Sequence, residues 1–423
     1  MAVVKTELML FNGLPIQNAV EKGQWIDIHP TNSTAGKGPI EFTYSGGIEY
    51  IDLNDTELYV LASIVKADGS PYSEPVDIAF VNNSLHSMFS DVFVKLGNET
   101  VEGGDSVYAY KAMLSTLFGY SESTIKTQLP SVGFIKDQGG KMESRENKGF
   151  IERKNWTNAG TREFQGKLFV DLFQHRQYLL NNVDLTIKLM RAKNEFAITN
   201  FVNGEKPRIL IEDAILYVRK CVINPEIVLQ HIDMLENEIM ANYFIDRYEI
   251  ITYTIPSTTK SFRRDNIFLG KVPKSIMFAM VSNDGYNGNY LKNPFFFHHY
   301  NLNYMALFVN GDSIPFQPFT PDFANKKCLR EYNSLYMCSG DLGRDMSLPF
   351  TYNDFMEGYT IFKFNLNPDL SNYGVDPSVG GNVRFDLKFS EALPESVSLI
   401  VMANFSAMIN IDIARNVFCD YKA

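Results

Sequence analysis

The sequence predicts a mostly-β protein built of two similar halves. Residues 183–189 and 383–389 alternate apolar and polar side chains, and this period of two puts one face of a strand on a core and the other in water. The 32 phenylalanines and 22 tyrosines suit the pleated, half-buried surface of a sheet. A short sequence pattern at residues 94–101 also recurs at residues 307–314.

Alternating stretches occur along the whole chain, and turn residues separate them. Residues 58–64 and 409–413 alternate in the same way, the first of them less strictly. Clusters of Gly, Pro, Asn and Asp, which favour turns, stand at residues 67–71, 283–285 and 310–312. Short strands separated by turns in this way are typical of a β-sandwich or a barrel.

Helical spacing of apolar residues is confined to three segments. Residues 108–118 carry apolar side chains at intervals of three and four, which predicts a helix. Residues 225–240 repeat this spacing, with Asn224 as the N-cap and Pro225 in the first helical position. Residues 326–337 are a weaker candidate. Three helices against about sixteen strands make the composition mostly β.

The recurring pattern indicates an internal duplication. Each copy reads as aliphatic residues, a Gly/Asn pair, an acid, a hydroxyl residue and another aliphatic residue, and the Gly/Asn pair can supply the positive φ angles of a tight hairpin. The offset is 307 − 94 = 213 residues, close to half of 423, and a predicted helix follows each copy. We therefore predict two sandwiches or jelly rolls, divided into residues 1–222 and 223–423, with helix 225–240 at the junction.

Composition and charge narrow the possible functions. The chain has 39 basic and 49 acidic residues, a formal net charge of −10, which repels phosphate backbones. We therefore expect no sequence-specific nucleic-acid binding, although a local basic patch is compatible with this charge. The apolar stretches are shorter than the ~20 residues of a membrane span, and the N-terminus shows no secretory signal. Cys221, Cys328, Cys338 and Cys419 lack metal-site spacing and are expected to be reduced thiols.

The sequence shows no catalytic arrangement of residues. His298 and His299 are the one adjacent histidine pair, and neighbouring residues of a strand point to opposite faces, so they are not expected to hold one metal ion. The sequence contains no HExxH, GxSxG, GxxxxGK[ST] or GxGxxG motif. We predict a protein that is not an enzyme, with no catalytic, cofactor-binding or metal-binding residue and no cofactor.

Three charged segments are predicted to be structural parts of the fold and not binding or catalytic sites. The acidic cluster Asp52, Asp55 and Glu57 is assigned to a loop between strands. Residues 141–154, rich in charges of both signs, are expected to form a solvated excursion. The arginine pair at residues 263–264 is expected to lie on an exposed strand face.

The chain also carries an ordered set of longer motifs. They are GQW at 23–25, GPIEF at 38–42, YIDL at 50–53, LYV at 58–60, SLHSMFS at 84–90, YAYKA at 108–112, DLF at 171–173, YLLNNVD at 178–184, DFMEGYT at 354–360 and FNLNPD at 364–369. This ordered set spans nearly the whole chain and resembles the major capsid proteins of Polinton (Maverick) elements and their adintovirus-like relatives.

The resemblance implies a particular architecture and role. It implies an all-β double jelly roll: two tandem eight-stranded rolls, with a few short helices in loops and at the junction. Members of the family form homotrimers that act as pseudo-hexagonal capsomers and tile an icosahedral shell around a double-stranded DNA genome. The implied partners are neighbouring capsomers, a penton protein and minor or cement proteins. The implied location is the virion, after synthesis in the host cell without a secretion signal.

Two other classes of function and one structural question stay open at this point. A lectin-like jelly roll that binds glycans would need convergent carboxylates or an aromatic platform, and a cupin-type enzyme would need clustered His and Glu ligands. The sequence singles out neither feature. Residues 1–18, with the apolar run Leu8-Met9-Leu10-Phe11, are the best candidate for an inner arm that contacts other proteins, the alternative being that they pack on their own roll.

Overall fold

The computed structural model of the chain consists mainly of β-strands. It describes residues 17–36, 38–268, 270–340, 342–343, 348–367 and 380–421. The inner arm predicted for residues 1–18 therefore lies almost wholly outside the described residues.

The N-terminal half forms two four-stranded antiparallel sheets. Its strands are β1 (Val20–Ile28), β2 (Ile40–Tyr44), β3 (Tyr50–Val65), β4 (Ile78–Phe80), β5 (Phe89–Leu96), β6 (Glu99–Glu102), β7 (Arg162–Lys167), β8 (Leu185–Arg191), β9 (Ile198–Asn200) and β10 (Arg208–Ile223). One sheet has the order β1-β10-β3-β7 and the other β2-β8-β5-β6, while β4 and β9 pair separately. The apolar side chains of both sheets are buried in a common core.

The C-terminal half repeats this arrangement. Its strands are β11 (Ala241–Ile255), β12 (Ser261–Arg264), β13 (Ser275–Ser282), β14 (Leu302–Val309), β15 (Asp312–Phe319), β16 (Ile361–Asn365), β17 (Val383–Phe389), β18 (Val397–Ile411) and β19 (Val417–Cys419). One sheet has the order β11-β18-β13-β16, with β19 added on β18, and the other has the order β12-β17-β14-β15.

Both halves therefore share one topology. When β1, β2, β3, β5, β6, β7, β8 and β10 are matched in chain order with β11 to β18, each N-terminal sheet order becomes the corresponding C-terminal one. Two four-stranded antiparallel sheets connected in this way form a jelly roll. The fold is a double jelly roll of two eight-stranded rolls, as predicted.

The repeated motif occupies equivalent hairpins in the two rolls. Residues 94–101 form the end of β5, the turn and most of β6, and residues 307–314 form the end of β14, the turn and the start of β15. Gly97 has φ 55° in the first turn, and Asn310 and Gly311 have φ 52° and 100° in the second, a backbone that Gly and Asn adopt at low cost. The duplication read from the sequence thus corresponds to matching strand pairs.

Two predicted strands differ from the observed ones at an end. Residues 183–189 become strand only from Leu185, because Asn182 has φ 58° and Asp184 accepts a hydrogen bond from the Gly46 amide (2.7 Å). Residues 409–413 stop being strand after Ile411. There the Asp412 carboxylate accepts the Asn416 amide (2.8 Å) and closes a turn.

Short helices lie in the connections. They are α1 (Ser84–Ser87), α2 (Tyr108–Gly119), α3 (Glu122–Thr127), α4 (Lys148–Asn158), α5 (Asn194–Ala197), α6 (Pro225–Glu236), α7 (Asn283–Asn287), α8 (Leu329–Ser339) and α9 (Tyr352–Glu357). The three predicted helices are α2, α6 and α8. As predicted, Asn224 caps α6, since its side chain accepts the Glu226 amide (2.9 Å).

Two interpretations of charged segments are wrong. Asp52, Asp55 and Glu57 lie on β3 rather than in a loop, where Arg219 of the neighbouring β10 pairs with both aspartates (3.4 and 3.1 Å). The segment at residues 141–154 is not merely solvated, because it contains the start of α4, whose Arg153 side chain is 3% exposed. In both cases an ion partner makes a charged side chain compatible with the sheet or the core: Arg219 for the aspartates of β3, and Asp137 for Arg153.

The two rolls lie side by side with corresponding ends together. At one end, here called the upper end, the connections before β7 and β16 meet in the ion pair of Lys136 with Asp354 (2.6 Å). At the opposite, lower end, α6 joins β10 to β11, and Arg415 after β18 donates to the carbonyl of Asn181 before β8 (2.8 Å). The division into domains at residues 222 and 223 falls at this connection and stays a prediction.

Candidate assembly surface

The histidine pair serves packing in the upper part of the C-terminal roll. The His298 ring packs between Phe296 and Tyr300, with centroids 4.2 and 4.8 Å away, and the His299 ring stacks on Phe323 at 4.3 Å. Burial lowers the pKa of His298 and, with the neighbouring ring, lowers that of His299 to about 4. Within the described ranges, no three His, Cys, Asp or Glu side chains are placed to hold a metal ion.

A buried ion cluster, which the sequence did not indicate, links the two rolls. The Lys111 ammonium on α2 contacts the carboxylates of Glu102 on β6 and Asp171, the latter at 2.7 Å. Asp171 also accepts the backbone amide of Tyr248 on β11 (2.9 Å), and the Tyr421 hydroxyl donates to the carbonyl of Val101 (2.9 Å). The Asp171 side chain therefore binds the backbone of the C-terminal roll, and the Tyr421 side chain binds the backbone of the N-terminal one.

Two carboxylates share one ammonium in this cluster, and the pKa values of both carboxyl groups are raised. Burial, together with the negative charge of Asp171, raises the pKa of Glu102 to about 7. Burial also raises the pKa of Asp171. Although burial lowers the pKa of Lys111, the two carboxylates outweigh it and raise that pKa above its usual value. The ammonium therefore stays charged while one carboxyl group binds a proton near neutral pH.

The raised pKa of Glu102 predicts a pH-dependent stability. A carboxyl group whose folded pKa lies above its unfolded value of 4.5 stabilises the fold fully below that value and loses this contribution as pH rises through about 7. Between pH 5 and pH 8, we expect the free energy of unfolding, measured by chemical denaturation, to fall by about 1–3 kcal/mol because the Glu102 carboxyl group loses its proton. Glu102→Gln should flatten this slope, whereas Glu21→Gln on the exposed face of β1 should not. Equal slopes in wild type and Glu102→Gln would contradict the assignment.

An apolar surface covers the lower end of the molecule around α6. Of the helix side chains, Leu235 alone is buried in the described structure. Leu229 is 65% exposed and Ile239, just after the helix, is 53% exposed. The α6 surface is defined by the exposed side chains of Leu229, Ile232, Met234, Ile239, Met240 and Phe244. Contiguous exposed apolar patches usually mark interaction sites, and six exposed apolar side chains within residues 229–244 make the α6 surface a candidate for one.

A groove adjoins this surface, and we call it the α6 groove. It has a volume of about 610 Å³ and lies between residues 19–20, α6, the start of β11 and the connection at residues 176–180. His231 of α6 fixes one side, because its Nδ1 lies 2.9 Å from the Tyr50 hydroxyl. Ile227, Met234 and Ile239 contribute apolar lining. The sequence pattern predicts the helix but not the groove, because elements of both rolls line the groove.

The helices do not reach the dimensions of a membrane span. Over the described ranges, none of them is long and apolar enough to cross a bilayer.

Comparisons with known proteins extend over the whole chain. No protein-family model matches the sequence. A Caenorhabditis elegans protein described as uncharacterized protein F54H12.2 is 25% identical over 428 residues, which cover 96% of this chain and 98% of that protein.

Solved structures share the fold. A chain in the cryo-electron-microscopy structure of the Sputnik virophage superposes with a TM-score of 0.67 at 12% identity, over 99% of this chain and 92% of that one. The Faustovirus major capsid protein superposes with a TM-score of 0.58 at 8% identity, over 95% and 92% of the two chains. At these identities the similarity establishes the double-jelly-roll fold.

Proposed function

We propose that this chain is a major capsid protein. The observation that carries the proposal is the match to the Sputnik virophage chain over 99% of this chain with a TM-score of 0.67. The similarity to the Faustovirus major capsid protein, over 95% of this chain, supports it independently. The sequence motifs narrow the proposal to a protein of the Polinton or adintovirus type, located in the virion and without catalytic activity.

The proposed mechanism is geometric. Because the two rolls share one strand order, three chains arranged around a threefold axis would present six similar lateral faces. Such a homotrimer is a closed, pseudo-hexagonal capsomer that can pack against neighbouring capsomers in an icosahedral shell. The upper ends would face outward and the lower ends inward, towards a double-stranded DNA genome. The net charge of −10 opposes condensation of DNA by bulk charge.

The proposal includes further partner proteins and assigns one roll to each half of the chain. A penton protein would fill the fivefold positions, and minor or cement proteins would join capsomers. Residues 1–222 and 223–423 would each contribute one roll, with α6 connecting them at the lower end.

Light scattering on the purified full-length chain tests the trimer. We expect the mass of three chains at micromolar concentration, because obligate subunit interfaces are large and apolar at their centres. The high aromatic content, 13% of residues, supports interfaces of this kind. A stable monomer at the same concentration would contradict the proposed assembly.

A further inference from the structure

The contact between the two rolls of one chain is made by a defined pair of surfaces. The first roll contributes the end of β6 and the start of α2, and the second contributes β11. Gly103, directly after β6, and Ile245 on β11 line the same cavity of about 150 Å³ between the rolls. Tyr243 lies on the same side of β11 as Ile245, and its hydroxyl donates to the Tyr178 carbonyl of the first roll (3.1 Å). This side of β11 therefore faces the first roll.

The surface of β11 has an equivalent on β1 of the first roll. Ile245 pairs with Ala407, four residues before the end of β18. Trp25 pairs with Arg219, four residues before the end of β10. Because β1 and β10 correspond to β11 and β18 in the shared topology, Trp25 occupies the position of Ile245. Ile245 is 7% exposed, whereas Trp25 is 49% exposed.

The surface of β6 has an equivalent on β15 of the second roll. The offset of 213 residues between the repeated hairpins gives 316 − 213 = 103, so Phe316 corresponds to Gly103. Phe316 is 90% exposed. By the same offset Pro315 takes the position of Glu102, and the buried carboxylate of the contact within the chain is replaced by an apolar residue. The two equivalent surfaces are thus open in a single chain and carry aromatic side chains.

Helix α8 extends the exposed surface of β15. It connects β15 to β16 as α2 connects β6 to β7. Leu329, its first residue, is 57% exposed. The guanidinium of the neighbouring Arg330 donates to the carbonyls of Gln317 (2.7 Å) and Pro318 (3.1 Å) on β15. These hydrogen bonds hold the start of α8 against the strand that carries Phe316, as α2 accompanies β6 in the first roll.

We propose that β15 and the start of α8 of one chain bind β1 of a second copy, with Phe316 packed against Trp25 of that copy. The inference rests on the proposed homotrimer and identifies its contact surfaces. Three such contacts, alternating with the three contacts within the chains, form a closed ring of six rolls. Large aromatic side chains at the centre of an interface carry much of its binding energy. Since Phe316 is exposed in the single chain, it acts on association and adds little to the stability of its own roll.

Photo-cross-linking of the full-length chain tests the contact directly. Phe316 is replaced by the photoreactive p-benzoylphenylalanine, which keeps an aromatic ring at this position. Irradiation should give a species with the mass of two chains on a denaturing gel, and mass spectrometry should locate the link in residues 20–28. The matched control carries the same probe at Ile48, which is 81% exposed between β2 and β3, and should give no link to residues 20–28. A link within one chain, a link to another segment or no link from position 316 would overturn the proposal.

Charged substitutions separate this contact from the homotrimer itself. Phe316→Asp and Trp25→Asp should each raise the concentration at which trimers dissociate by about tenfold or more, measured by light scattering over a dilution series. Ile48→Asp should leave that concentration unchanged, and far-UV circular dichroism should show the same strand content in all three variants. If the wild type and both interface variants form equally stable trimers, the contact is wrong and the homotrimer stands. If the wild-type chain stays monomeric, the homotrimer and the contact are both wrong.

Discussion

Replacing Asp137 by alanine is expected to lower the free energy of unfolding by about 3–5 kcal/mol, since it strands a buried charge. The Asp137 carboxylate accepts the Arg153 guanidinium (2.8 Å), and the two side chains are 1% and 3% exposed. It also accepts the Asn293 side chain (3.2 Å), and its backbone carbonyl accepts the Tyr359 hydroxyl (3.0 Å). The substitution therefore removes the partner of Arg153 and a contact between the two rolls.

Chemical denaturation of matched variants measures this effect. Glu146→Ala is the control from the same connection, because its carboxylate pairs with Lys141 at 2.6 Å but is 75% exposed, and exposed pairs contribute about 0–1 kcal/mol. Combining Asp137→Ala with Arg153→Met should recover part of the loss, since no charge then remains buried without a partner. A loss below about 1 kcal/mol for Asp137→Ala would contradict the role given to this ion pair.

Replacing Phe385 by alanine is expected to destabilise the C-terminal roll by about 3–5 kcal/mol through lost burial and the cavity that remains. Phe385 on β17 is fully buried. Its ring lies 5.4 Å from that of Phe278, 5.9 Å from that of Phe262 and 6.0 Å from that of Tyr253, measured between centroids. These rings come from both sheets of the roll, so their packing holds the sheets together.

Phe316→Ala provides the matched control for this substitution. Phe316 belongs to the same roll and is 90% exposed, so its removal should change the free energy of unfolding by less than about 0.5 kcal/mol. Thermal or chemical unfolding of both variants gives the comparison. Equal stability of the two variants would show that Phe385 does not pack as described.

The parts of the fold that the sequence predicted correctly rest on local chemistry. The equivalent hairpins were found because Gly97, Asn310 and Gly311 occupy positive-φ positions, which few other residues tolerate. Helix α6 was found because Asn224 and Pro225 begin it and apolar residues recur at helical spacing. Each of these signals is contained within about ten neighbouring residues, so no knowledge of the remaining chain was needed.

The parts that were missed depend on residues far apart in the sequence. Helix α4 carries four charged residues, and its Arg153 is buried because Asp137 and the carbonyl of Phe80, which lie 16 and 73 positions earlier, accept its hydrogen bonds. The acidic residues of β3 lie in a strand because Arg219, more than 160 positions later, pairs with Asp52 and Asp55. The α6 groove likewise forms only when both rolls are folded. Local sequence patterns do not show which separated residues come into contact in the folded chain.

Electron microscopy of the expressed full-length chain, alone and mixed with a candidate penton protein, tests the capsid proposal most directly. The proposal predicts threefold particles with a pseudo-hexagonal outline, in which six rolls of the described topology stand side by side, and closed shells when the penton protein is present. Isolated single chains in both samples, with neither trimers nor shells, would contradict it.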